Sequence, residues 1–389
     1  MLGSGVPVSA MARQSVYLDH NAAAPLRPEA REALLAALDL TGNPSSVHAH
    51  GRALRDTIET GRRQVARLVG AEPRQVVFTG SATEAITQAI VGGAKVFAAS
   101  TIVVSAGDHV AAPKAAEATG LPVITLGLLP DGRIDLDQLA QILAEAEGNL
   151  LVCVHWVNNE TGVVQPIGRI NAMVGPTRHT LFVDAVQACG KLALDFAASA
   201  PDMMAVSGHK IGAPSGIGAL LVKGHADTVR LIPGGGQEQG RRGGTEPFGL
   251  IAAFGAAAEA AGRDDHARLQ GLVDMLEAGL RALAPDVVIF GADAERIGSV
   301  VNFAIPGLKS ATGMMALDLQ GLSVSSGSAC SSGKVSVSHV LLAMGIAPEL
   351  AECALRVSFG WNSTAEDAAA FLSGLETILA RHKRAGRAA

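Results

Sequence analysis

The sequence predicts an α/β protein: a large domain with a mainly parallel sheet, followed by a smaller α/β domain. Three observations carry this. Short β-branched runs alternate with helical patterns through the first two-thirds of the chain, as in parallel sheets covered on both faces. The texture changes near Gly262, where a long charged amphipathic helix pattern begins. At 389 residues, one large and one smaller domain is the default.

Taken in order, Glu29 to Leu40 and Arg52 to Val69 read as amphipathic helices, joined by the turn-rich Thr41-Gly42-Asn43-Pro44-Ser45-Ser46. Gln75 to Phe78 reads as a strand, Thr79-Gly80-Ser81 as a break, and Ala82 to Val91 as a helix. Strand patterns follow at Thr101 to Ser105, Val123 to Leu126, Leu150 to His155, Leu181 to Val183, Met203 to Ser207 and Gly218 to Val222. Beyond Gly262, Asp264 to Ala284, Thr312 to Leu319, Val337 to Met344 and Ala365 to Ala380 read as helices. Val287 to Phe290, Val300 to Phe303 and Leu355 to Phe359 read as strands of a second sheet. Met1 to Ala12 reads as a flexible extension without the basic start of a secretory signal, and Arg381 to Arg387 as a basic tail.

Composition narrows the function classes. The chain is 48% hydrophobic and 17% charged, enough apolar material for a sizeable core. Aromatics make up only 3%, so Ala, Val, Leu and Ile must build that core. A net charge of −5 gives no reason to expect direct nucleic-acid or membrane-surface binding. The apolar run from Phe248 to Ala258 is too short to span a bilayer. A cytoplasmic protein is expected. The four cysteines (Cys153, Cys189, Cys330, Cys353) are widely spaced, which argues against a zinc site and a disulfide scaffold. No metal site is expected. Mononucleotide-loop, nucleophile-elbow and zincin motifs are absent.

Two charged residues carry the chemistry. Asp184 closes the run Leu181-Phe182-Val183, and Lys210 follows Met203-Met204-Ala205-Val206 within Ser207-Gly208-His209-Lys210. A lysine and a carboxylate at strand ends are what a pyridoxal 5'-phosphate (PLP) enzyme needs. The lysine forms the Schiff base, and the carboxylate keeps the pyridine nitrogen protonated so that the ring accepts electrons. Singly, each reads equally as a loop charge.

Other segments read two ways. Ala82 and Thr83 open a helix after a strand, where free N–H groups hold phosphate; Ser81 and Glu84 also make a plain capping box there. His109 follows a strand end, which places it at a ligand crevice or leaves it an ordinary loop histidine. Asn158 and Asn159 suit a polar site lining and a turn equally. Gly234 to Thr245 is a mobile surface loop or a backbone approaching phosphate. Arg356 stands alone in an apolar run, either snorkelling to solvent or gripping a carboxylate with its planar fork. Cys330 lies in a Gly/Ser loop that cannot easily bury it, so it reads as the reactive thiol, and Cys153 reads as core.

Together these residues resemble the group I cysteine desulfurases of the class V aminotransferase superfamily, PLP fold type I. The landmarks are Tyr17-Leu18-Asp19, Asn43-Pro44-Ser45-Ser46, Ala82-Thr83-Glu84, His109, Asn158-Asn159-Glu160, Asp184 with Gln187, Ser207-Gly208-His209-Lys210, Gly244-Thr245, Ser325 to Cys330, and Arg356. They run in family order from about Tyr17 to Trp361. The resemblance implies a seven-stranded sheet in a large PLP domain over residues 21–262. Residues 1–20 plus 263–389 would form the small domain carrying the cysteine loop.

The resemblance also implies roles. Lys210 would bind the cofactor and move the substrate proton, Asp184 would pair with the ring nitrogen, and Gln187 would bond the ring oxygen, with Asn159 nearby. His109 would stack on the ring and exchange protons. Ala82, Thr83, Ser207 and His209 would hold the phosphate, and Thr245 would reach the phosphate of a neighbouring subunit in a homodimer. Asn43 and Arg356 would bind the L-cysteine carboxylate. Cys330 would take the sulfur as a persulfide, leaving alanine, and pass it to an acceptor protein for iron–sulfur cluster assembly or other thiolation. Three departures stand out: Ala22-Ala23-Ala24-Pro25 where the family has Ala-Thr-Thr-Pro, Val337 where many members have proline, and the short C-terminus. Alternatives within the superfamily are a selenocysteine lyase, a cysteine-sulfinate lyase and a small-molecule aminotransferase. Outside it, the alternative is a catalytically silent scaffold.

Overall fold

The computed structural model describes residues 15–199, 201–326 and 337–388. Cys330 and the N-terminal extension lie outside the described residues. The central sheet contains seven strands: β2 (Val76–Thr79), β3 (Ala99–Ser105), β4 (Val123–Leu126), β5 (Asn149–His155), β6 (Thr180–Asp184), β7 (Met203–Ser207) and β8 (Gly218–Val222). Their order is β2-β8-β7-β6-β5-β3-β4, and β8 alone runs against its neighbours β7 and β2.

The strands read as continuous apolar runs because both faces are covered. In β5, Leu150, Val152 and Val154 enter one apolar cluster, which includes Ile58, Val65 and Phe254 from the helices Ala49–Leu68 and Phe248–Ala261. Leu151 and Cys153 enter the opposite cluster, under the helices Ala82–Thr87 and Ala111–Glu117. With few aromatics available, Ala and Val fill these layers.

A second cluster system holds the C-terminal part. Strands β9 (Val288–Ile289), β10 (Val300–Ala304) and β12 (Ala354–Ser358) form an antiparallel sheet in the order β12-β10-β9. Val301, Phe303, Leu355 and Val357 pack on the helices His266–Leu283 and Ala365–Ala388 through Leu276, Leu280, Phe371 and Leu375. Leu18 from the N-terminal end joins this cluster. It is carried there by β1 (Val16–Tyr17), which pairs in parallel with β11 (Leu322–Ser323).

Two sequence expectations need correction, and one pair of strands was not anticipated. The two-residue strands β1 and β11 carry no periodic signal, and only long-range pairing creates them. The helix expected from Ala82 to Val91 is regular only to Thr87, then widens into a π turn at Gln88–Gly92. There Gly92 packs against the Arg230 carbonyl, and buried Gln88 donates to Val229 and Arg241 carbonyls. The basic tail is not separate, because the last helix continues to Ala388. Among the described residues no helix is long and apolar enough to cross a membrane.

Candidate active site

Four neighbouring parallel strands end at one crevice, as ligand sites in open α/β sheets do. His109 follows β3, His155 ends β5, Asp184 ends β6 and Lys210 follows β7. All four line a cavity of ≈ 380 Å³, within the ~300–1,000 Å³ usual for small-ligand pockets. Ala82, Thr83, Asn159, Gln187, His209 and Arg356 complete its functional wall.

Asp184 is buried, with Oδ1 accepting the Val186 N–H at 2.9 Å. Burial pushes its carboxyl above the ordinary carboxylate range; the Val186 N–H and nearby His109 pull it back in part. A cationic N–H placed in the cavity would complete this carboxylate. His109 lines the cavity and accepts the Ala111 N–H on Nδ1 at 3.2 Å.

Ser81 caps the helix that Ala82 opens, its Oγ accepting from Glu84 N at 3.1 Å. The Glu84 carboxylate does not return to Ser81 as a capping box would. It accepts from Gly80 N and from Arg242, so Ala82 and Thr83 stay on the cavity wall. Ser207 is fully buried behind this wall, and its hydroxyl meets His209 Nδ1 at 2.8 Å. Burial and the Lys210 charge lower the His209 pKa to about 4, so its ring stays neutral near pH 7.

Lys210 Nζ donates to the main-chain carbonyls of Asn21 and Ala22, each at 2.7 Å. Asn21 is the hub that sequence reading overlooked. Its carbonyl also accepts from Gln187 Nε2, its side chain donates to the Asn159 carbonyl, and its N–H donates to Ser358 Oγ. Arg356 shares this hub. Its side chain is 3% exposed, Nη1 donates to the Asn159 carbonyl at 3.1 Å and Nη2 to Asp19 Oδ1 at 2.8 Å. Its main chain exchanges two hydrogen bonds with Ser325, shortly before the segment carrying Cys330. Beyond that segment, Ser338 Oγ donates to the buried Glu160 carboxylate.

Sequence reading also passed over the buried Asp108–His155 pair at 2.8 Å and Lys191. An i,i+4 relation to Gln187 was the available signal for Lys191. Three expected residues are not on the cavity wall: Ser207, which is fully buried, Asn43 and Thr245. Asn43 is exposed and folds back to accept the Ser45 N–H, and Thr245 is exposed on the Gly-rich loop. Cys153 and Cys189 are fully buried, and burial raises both thiols, Cys189 to about 12. Neither is a nucleophile in this state.

Comparison with known proteins fits this geometry. The Aminotransferase class-V family matches residues 16–371. An IscS-like cysteine desulfurase of Mycobacterium tuberculosis is 36% identical over 386 residues, covering 96% of this chain and 98% of its own. The chain belongs to the cysteine desulfurase family of class V aminotransferases. A rat cysteine desulfurase is 35% identical, covering 94% of this chain and 83% of its own. The solved NifS-like protein of Rickettsia africae superposes with a TM-score of 0.86 at 30% identity, covering 94% of this chain and 99% of its own. Cysteine desulfurases of this superfamily are PLP-dependent and share the type I fold. The cavity fits that cofactor on its own chemistry: a buried carboxylate lacking a full cationic complement, a lysine amine, and a helix start with unpaired N–H groups.

Proposed function

We propose that this chain is a group I type, PLP-dependent cysteine desulfurase that converts L-cysteine to L-alanine and carries the sulfur as a persulfide on Cys330. The observation that carries the reading is the convergence of Asp184, Lys210 and Arg356 on one cavity. When bound, the cofactor's protonated ring withdraws electrons from the substrate's carbon skeleton.

The chain's residues do the rest. Lys210 is the attachment amine and moves the proton at the substrate Cα. Asp184 holds the ring-nitrogen proton, and Gln187 with Asn159 faces the ring oxygen. Ala82, Thr83 and His209 would hold the phosphate, with the buried Ser207 hydroxyl orienting the His209 ring. His109, on the cavity wall, would stack on the ring and exchange protons with substrate. Arg356 binds the substrate carboxylate, its fork preset by Asp19 and the Asn159 carbonyl. Asn43 does not reach this cavity in its own chain, so the carboxylate grip rests on Arg356.

The Cys330 thiolate attacks the substrate sulfur. An S–S bond forms, the substrate Cβ–S bond breaks, and its electron pair stays with the carbon skeleton, which takes a proton and leaves as alanine. Thr245 lies exposed outside its own cavity, as a residue serving a neighbouring protomer's phosphate must, which supports a homodimer. The shared cluster of Leu18 with residues beyond 263 supports the division into 21–262 and 1–20 plus 263–389. A cytoplasmic location and an acceptor protein for iron–sulfur assembly or other thiolation complete the reading.

Purified protein incubated with L-cysteine and a reductant tests it. Sulfide and alanine in equal amounts, both lost in Cys330→Ala while the cofactor's visible band remains, is the expected result. Sulfide release persisting in Cys330→Ala would overturn the persulfide route.

A further inference from the structure

Lys191 stands four residues after Gln187, on a helical turn made by the Cys189 and Leu192 N–H groups donating to Ala185 and Ala188 carbonyls. That spacing places both side chains on one face. Lys191 Nζ donates to Gln187 Oε1 at 2.6 Å and to Asn21 Oδ1 at 2.7 Å. No acidic side chain balances the ammonium among its described partners. It sits instead near two like charges, Lys210 and Arg356. Burial and these charges push its pKa down to about 7. A lysine kept at such a cost needs a reason.

The reason is the geometry of two amides. A side-chain amide is nearly symmetric in shape, and only its partners decide which end points where. The protonated form of Lys191, about half of the population at pH 7, is a donor without acceptor capacity, so it can meet only the oxygen end of an amide. Here one ammonium meets two amide oxygens at once. That leaves Gln187 Nε2 to donate to the Asn21 carbonyl at 2.8 Å and to keep its second N–H for the cavity. It also leaves Asn21 Nδ2 to donate to the Asn159 carbonyl, the acceptor Arg356 uses.

We propose that Lys191 is a positioning residue for the cofactor: it locks the Gln187 and Asn21 amides so that Gln187 presents a donor, never its carbonyl, to the cofactor's ring oxygen. Without that lock, a flipped Gln187 would set two oxygens against each other in a poorly solvated pocket. The inference rests on Gln187 facing the cofactor, and the test separates the two.

Holoenzyme carrying Lys191→Met, Gln187→Ala and both together is compared for PLP dissociation constant and for the pH midpoint of the visible band. Lys191→Met is expected to weaken PLP about tenfold, the scale of one hydrogen bond to a charged group. It should also raise the band midpoint, because a donor and a positive charge leave the ring oxygen's surroundings. In the Gln187→Ala background the same substitution should change PLP affinity by less than about twofold, since the two residues act as one unit. Lys191→Gln repeats the test if the Met variant does not fold. Equal effects of Lys191→Met in both backgrounds, or no effect in either, would overturn the proposal. Wild-type affinity and band in Gln187→Ala alone would overturn the Gln187 assignment beneath it.

Discussion

Gly218 on β8 lies against Ala82: a Cβ built on Gly218 would stand 2.8 Å from Ala82 N and 2.7 Å from the Ser81 carbonyl carbon. The antiparallel strand therefore seats the helix start that lines the cavity, and only glycine permits the approach. Both contacts are backbone, which cannot swing aside.

Gly218→Ala is expected to push Ser81 and Ala82 outward and weaken PLP by about tenfold or more, the loss of at least one charge-assisted hydrogen bond. Equilibrium titration of the cofactor-free protein with PLP reads this. An unchanged dissociation constant would show that the helix start does not hold the phosphate.

Asp184 sets a pH dependence in the cofactor-free protein. Burial raises its folded pKa above its unfolded value, so between the two the folded state binds the extra proton. The cost of burying the charge is absent below the unfolded pKa and complete above the folded one. Cofactor-free Asp184→Asn should therefore melt higher than wild type near pH 7, and the gap should close as pH falls through the carboxylate range. PLP should reverse the order near pH 7, because the ring N–H is the missing complement. Melting curves at several pH values, with and without PLP, check both halves.

Arg62 and Glu238 test the support of the Gly-rich loop. Arg62 meets both Glu238 oxygens at 2.7 and 2.8 Å, with side chains 4% and 1% exposed, and Glu238 also accepts the Phe78 N–H. Glu238 and Gln239 adopt left-handed backbone, with φ of 49° and 57°. Glu238→Ala leaves buried Arg62 with only the more exposed Glu59 carboxylate and should cost about 3 kcal/mol, the low end for breaking a buried ion pair. Glu238→Gln retains an acceptor for Phe78 and should cost less. Denaturant unfolding measures both.

The fold was largely legible because strands buried on both faces must be apolar along their whole length. Met203 to Ser207 and Gly218 to Val222 could be placed to the residue on that ground. The same reasoning missed β1 and β11, whose two residues each are too short to show a period. It also stopped short at Val91 and missed the π turn, since the helical segment runs on through Gln88–Gly92 into Gly93–Val96.

Asp184 and Lys210 were readable because strand ends in an open sheet share one edge, so the sequence by itself determined which charges meet. It likewise determined the apolar layers and the family. Tertiary structure decided what those charges lean on. Asn21 lies 189 positions from Lys210 and 166 from Gln187, and no local pattern announces that its carbonyl will take bonds from both. Lys191 shows the same division. Its spacing from Gln187 is a property of the sequence, but its lowered pKa and its grip on two amides exist only once folding has removed water and brought Lys210 and Arg356 beside it.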